Sequence, residues 1–143
     1  MPNAQSGFFE WVLFLAKSYA PLLLRGAGVT LLLALSGTLV GFLIGLGVGV
    51  VRSIPCRRED GAVKYVLLKI VRGILSIYIE VFRSTPMIVQ AMVIYYGLAQ
   101  LFSLTLNQLL AGFLIVSVNT GAYLAEIVRG GIQSVDPGQR EAA

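Results

Sequence analysis

Two stretches of this chain carry no charge at all. Val29–Val51 is predominantly apolar, and Ser84–Ala125 runs 42 residues without one charged side chain. An α-helix needs only about 20 predominantly apolar residues to cross a hydrocarbon core, so both stretches predict membrane-spanning helices. The longer one divides at Ser103–Gln108, which is polar but uncharged. Pro86 suits the first turn of a new helix, with Ser84 or Thr85 as its cap. The predicted spans are therefore 29–51, 86–102 and 109–128.

Between the first two spans the pattern changes. Arg52–Gly61, with Arg57, Arg58, Glu59 and Asp60 around Pro55, reads as a polar loop. From 62 to 83 the apolar residues Val63, Val66, Leu67, Ile70, Val71, Ile74, Ile77, Tyr78 and Val81 follow helical spacing. Lys69, Arg72, Ser76, Glu80 and Arg83 form a stripe on the other side. This is an amphipathic helix, either flat on the membrane surface or spanning with its stripe turned inward; charges this frequent favour the surface. Residues 1–28 read as an external or interfacial lead-in, where Glu10, Lys17 and Arg25 interrupt the apolar patches and Pro21 is expected to break any long helix. Gly37, Gly41, Gly45 and Gly49 repeat every four residues in the first span and mark a face for close helix packing.

Composition sharpens this picture. Hydrophobic residues make up 57% of the chain and charged residues 13%, and the mean hydropathy is +0.82, far from the balance of a soluble domain. The fold class expected is an all-α integral membrane bundle of about three spans plus an amphipathic interfacial helix. The net charge of +4 raises a nucleic-acid partner, but the basic residues cluster at the ends of apolar segments, and topology accounts for them better. Nine of the eleven basic residues lie in 52–83 and the tail, which places both in the cytoplasm and the N-terminus outside. No compact basic region precedes the first span, so a cleaved signal is not expected. Cys56 is the only cysteine and there is no histidine, so neither an internal disulfide nor an imidazole metal site is available.

Candidate chemistry is sparse. There is no phosphate-binding loop, zinc-binding His-Glu-x-x-His or nucleophile elbow, which argues against an enzyme and against a resident cofactor. Polar residues within the spans are Thr30, Ser36 and Thr38, then Gln90, Tyr95 and Tyr96, then Ser117, Asn119, Thr120, Tyr123 and Glu126. Such groups are costly in lipid unless they face a partner helix or water. Gln90 and Asn119 read as helix-to-helix hydrogen bonders before substrate ligands, and Glu126 as an interfacial partner of Arg129 before a transport residue.

Three blocks in order carry a family resemblance. Glu80-Val-Phe-Arg83-Ser84-Thr85-Pro86-Met-Ile-Val-Gln90, followed by Tyr95-Tyr96-Gly97-Leu98, resembles the motif of permease subunits of ABC importers for polar amino acids. Asn119-Thr-Gly-Ala-Tyr123-Leu-Ala-Glu126-Ile-Val-Arg129-Gly-Gly-Ile resembles a second block, and Gly138-Gln-Arg140-Glu141-Ala142-Ala143 the start of the family's cytoplasmic EAA loop, here residues 129–143. The resemblance covers about residues 22–143. It implies a transmembrane subunit that moves polar amino acids by alternating access, pairs with a second permease subunit as homo- or heterodimer, and sits in a bacterial inner membrane. It further implies separate ATP-binding cassette subunits and an external solute-binding protein as partners. Gly138, Arg140, Glu141, Ala142 and Ala143 would then dock the ATPase, with Glu141 as polar anchor. The family pattern continues beyond Ala143, so the chain is expected to be either a fragment of a longer permease or the product of a truncated gene; a small membrane scaffold without transport activity is the alternative.

Overall fold

The computed structural model describes residues 7–55 and 61–136. Among these, every regular element is a helix: α1 (Phe8–Ser53), α2 (Ala62–Ser84), α3 (Met87–Met92), a π-helical turn (Val93–Gly97), α4 (Leu98–Phe102) and α5 (Gln108–Gln133). The polar loop residues 56–60 and the docking residues Gly138, Arg140, Glu141, Ala142 and Ala143 lie outside the described part.

The chain divides within α1 into two compact units, Met1–Leu32 and Leu33–Ala143. In the first, the described residues are the opening of α1, whose Phe8, Phe9, Leu13 and Leu24 are all exposed. Pro21 was expected to break a helix here, but α1 continues through it. A proline forfeits one backbone hydrogen bond, a cost of roughly 3 kcal/mol. In an apolar medium unwinding would strand several more polar groups, so a single lost bond is the smaller loss.

The second unit holds the bundle. Here α1 and α5 run in the same direction, with Gly37 against Val116, Gly41 against Thr120, Gly45 against Leu124 and Gly49 against Val128. These four glycines are the buried positions of α1. A Cβ on Gly41 would stand 2.8 Å from the Ser117 carbonyl oxygen, and one on Gly45 would stand 2.9 Å from that of Gly121. Only glycine lets the two backbones come this close. On α5, Ala111, Ile115, Ser117, Gly121, Ala122 and Ala125 are buried, a small-residue surface that matches.

α2 packs on α5 with the opposite polarity. The Tyr78 hydroxyl donates to the Val118 carbonyl at 2.6 Å and lies 3.0 Å from where a Gly121 Cβ would be, while Phe82, further along α2, meets Asn119. Earlier residues of α2, including Lys69 and Arg72, therefore lie towards the C-terminal end of α5. α3 and the π turn continue along the other half of α5, where Tyr95 and Tyr96 share an open groove with Ala111 and Gly112. Together α2, α3, the π turn and α4 form one return path antiparallel to α5, broken at Ser84-Thr85-Pro86.

Helix ends differ from the expected caps. Ser84 is the last residue of α2 and Thr85 its C-cap, and their hydroxyls donate back to the Glu80 and Val81 carbonyls. Pro86 is itself the N-cap of α3, in extended conformation, and its carbonyl accepts from the Val89 and Gln90 amides. Proline forces the preceding residue out of the helical region, which is why α2 stops one residue earlier. The stretch 86–102 is not one plain helix, because Val93–Gly97 widens to π geometry. Ser103 closes α4 in the left-handed region at φ 54. The side chain of Asn107 accepts from the Leu109 amide at 3.0 Å and caps α5. α5 also runs past 128, through Gly130 and Gly131.

Candidate functional site

Asn119, Tyr123, Glu126 and Arg129 stand at three- and four-residue steps on α5, which places them in one line along the helix. The line begins at the break in the return path and ends near the close of α1. Two arginines from other helices reach it.

At the upper end, the break between α2 and α3 leaves carbonyls without helical partners. Gln90, buried on the first turn of α3, supplies them. Its Nε2 donates to the Phe82 carbonyl at 2.9 Å, the Thr85 carbonyl at 2.9 Å and the Thr85 hydroxyl at 2.8 Å. Its Oε1 accepts from Asn119 Nδ2 at 3.0 Å, and the same Nδ2 lies 3.3 Å from the Phe82 carbonyl. Both amides thus join α2, α3 and α5, and the Gln90 donors are spent on the protein itself. The sequence marked Pro86 as a helix start and Gln90 and Asn119 as helix-to-helix hydrogen bonders; the carbonyls they serve were not visible in it.

Midway down the line, the Arg83 guanidinium lies over the Tyr123 ring, 5.6 Å from its centre. Arg83 is at the C-terminal end of α2, and its side chain leans back towards its own N-terminus, as helical side chains do. Because α2 is antiparallel to α5, that direction leads down the polar line. The cation–π contact holds a charge between two helices without a carboxylate partner at bonding distance among the described residues.

At the lower end, Glu126 pairs twice. One carboxylate oxygen accepts from Arg52 at the end of α1, and the other is 3.4 Å from Arg129. Glu126 and Arg52 are 26% and 14% exposed, so the pair is largely shielded from water. The sequence suggested the Arg129 contact alone. Arg52 is 74 positions away, and no periodicity links residues on different helices.

Arg83, Gln90, Asn119, Tyr123, Glu126 and Arg129 are thus gathered along one face of α5. Ser84, Thr85 and Pro86 form the joint above it, and Gly37, Gly41, Gly45 and Gly49 lie on the neighbouring α1 contact. Among the described residues no group of three or more potential acidic or cysteine ligands gathers to hold a metal. Chemically the line offers guanidinium and carboxylate charge, a phenol and an amide pair, within helices of which α1 and α5 are long and apolar enough to cross a membrane.

Known proteins resemble this chain. The arginine transport system permease protein ArtQ of Bacillus subtilis is 36% identical over 123 residues, covering 86% of this chain and 51% of that protein. The glutamine transport system permease protein GlnP of Escherichia coli K12 is 37% identical over 123 residues, covering 85% and 51%. The nopaline transport system permease protein NocM of Agrobacterium fabrum is 37% identical, covering 86% and 50%. A crystal structure of an amino acid ABC transporter with histidines superposes at a TM-score of 0.74 with 36% identity, over 97% of this chain and 56% of that one. The chain spans about half the length of the curated relatives it matches. These relatives are permease subunits, not catalytic ones, and residues 61–143 match the binding-protein-dependent transport system inner membrane component, the family to which this chain belongs.

Proposed function

We propose that this chain is part of the transmembrane permease subunit of an ATP-driven ABC importer that moves polar amino acids into the cell by alternating access. The observation that carries this reading is the fold shared with an amino acid ABC transporter over 97% of the chain, joined to relatives whose names specify arginine, glutamine and nopaline transport. Its partners are a second permease subunit, separate ATP-binding subunits and an external solute-binding protein. The segment from Gly138 to Ala143 docks the ATPase, with Glu141 as its anchor and Ala142 and Ala143 allowing close approach. Domain closure in the ATPase then moves the spans as bodies between two arrangements.

The parallel course of α1 and α5 supports a topology in which both cross from outside to inside, with the return path crossing once between them. In that topology the first half of α2, with Lys64, Lys69 and Arg72, lies at the cytoplasmic interface, where anionic lipid favours basic residues. Its second half, with Arg83, reaches into the bundle. The Tyr123 ring offsets part of the cost of the Arg83 charge at that depth.

Uptake tests the function. The complete permease, reconstituted with its ATPase and solute-binding protein in proteoliposomes, is expected to accumulate a labelled polar amino acid such as arginine or glutamine only when ATP is supplied. Absence of ATP-dependent accumulation across a panel of polar amino acids, from a preparation that hydrolyses ATP, would refute it.

A further inference from the structure

Among the described residues, Arg83 is the guanidinium of the polar line that no carboxylate meets. Arg52 and Arg129 both reach Glu126, whereas no acid stands within ion-pair distance of Arg83. Glu80, one turn before it on α2, is exposed and does not pair with it. The Arg83 charge nevertheless lies close enough to act on Glu126 together with those of Arg52 and Arg129. Three guanidiniums and one carboxylate leave an excess of positive charge at this level of the bundle. What holds Arg83 in place is the Tyr123 ring, whose centre lies 5.6 Å from the guanidinium carbon. A guanidinium laid on a ring keeps its N–H edges free, and those edges form the fork that matches a carboxylate.

Depth decides which anion this is. Tyr123 is about 15 Å from the close of α5 at Gln133, at 1.5 Å per residue. In the proposed topology that is near the middle of a hydrocarbon core about 30 Å thick, out of reach of lipid phosphates. Yet Tyr123 is 46% exposed, and Arg83 is exposed as well. A charge left open at this depth belongs on a path that water and solutes enter, not against lipid. Gln90 and Asn119, next along the line, spend their amide donors on the joint between α2 and α3 and do not compete for the same ligand. Every α-amino acid brings a carboxylate, whatever its side chain. We propose that Arg83, held over Tyr123, binds the α-carboxylate of the amino acid in passage, so that this site reads the feature all such substrates share. The inference rests on the importer reading above. Tyr123 is a positioning residue here, because it acts by holding Arg83.

A cycle that changes both partners tests the contact. With the complete permease assembled with its ATPase in detergent, calorimetric titration compares polar amino acids with their α-carboxamides, which keep the ammonium and the side chain but have no carboxylate. In the native complex the amide is expected to bind at least about tenfold more weakly than the acid. Arg83→Gln should weaken the acid by a similar factor and leave the amide nearly unchanged, so that acid and amide bind alike. Arg83→Lys, which keeps the charge but not the fork, should fall between the two, and it reads the same cycle if Arg83→Gln fails to assemble. Equal effects of these substitutions on acid and amide, including no effect on either, would overturn the inference, because Arg83 would then serve a carboxylate of the permease itself or none. Binding of no amino acid and no amide by a native complex that hydrolyses ATP would instead refute the importer reading, and this inference with it.

Discussion

Gln90 does for the helix break what a capping residue does for an ordinary helix end. It gives hydrogen bonds to the Phe82 and Thr85 carbonyls and receives one from Asn119, so three helices meet at one buried amide. Replacing it with alanine leaves those carbonyls without donors in a site shielded from water, which is expected to cost about 1–3 kcal/mol. The substitution Gln90→Glu, when the new carboxyl is ionised, presents only acceptors to carbonyl oxygens and is expected to be worse still. Thermal unfolding of the detergent-solubilised permease checks both: melting temperatures should fall in the order native, Gln90→Ala, Gln90→Glu. Equal stability of the Gln90→Glu variant and the native protein would show that the amide is not serving the break. The sequence marked Gln90 and Asn119 as polar residues in apolar runs, but which atoms they serve depends on where α2 ends, and that was placed by Thr85 acting as C-cap instead of the expected N-cap.

Among the helices, the glycines of α1 separate cleanly into two kinds. Gly45 stands where a Cβ would lie 2.6 Å from the Leu124 Cβ and 2.9 Å from the Gly121 carbonyl, whereas Gly47 has nothing within 4 Å. Gly45→Leu should force α1 and α5 apart and destabilise the bundle by about 1–3 kcal/mol or more. Gly47→Ala should stabilise it by up to about 1 kcal/mol, the difference in helix propensity. Opposite shifts in melting temperature are the expected result, and equal shifts would contradict the packing. The four-residue spacing of Gly37–Gly49 was legible because periodicity within one helix is written along the chain. What was not legible is anything that depends on two helices meeting: the Val116–Val128 ladder, the reach of Arg52 to Glu126, and the Tyr78 bond to Val118. Pro21 misled for a different reason. Its local cost is real, but the apolar run around it offers the backbone no better partners than the helix.

At the scale of the whole molecule, α1 and α5 run the same way, and one broken path through α2, α3 and α4 returns between them. The apolar runs and the basic clusters were enough to suggest three crossings with basic segments inside. They could not divide the return between 62–83 and 86–102, because a helix that carries Lys64, Lys69 and Arg72 at one end and packs on α5 at the other satisfies both descriptions. The most direct test is sided labelling of single cysteines in a Cys56→Ser background with a membrane-impermeant maleimide. Phe8→Cys and Leu104→Cys, both at exposed positions, are expected to react in right-side-out vesicles, and Lys64→Cys and Gln133→Cys only in inverted ones. Reaction of Lys64→Cys and Leu104→Cys from the same side would mean that the return path does not cross, and would contradict the arrangement on which both the permease reading and the polar line depend.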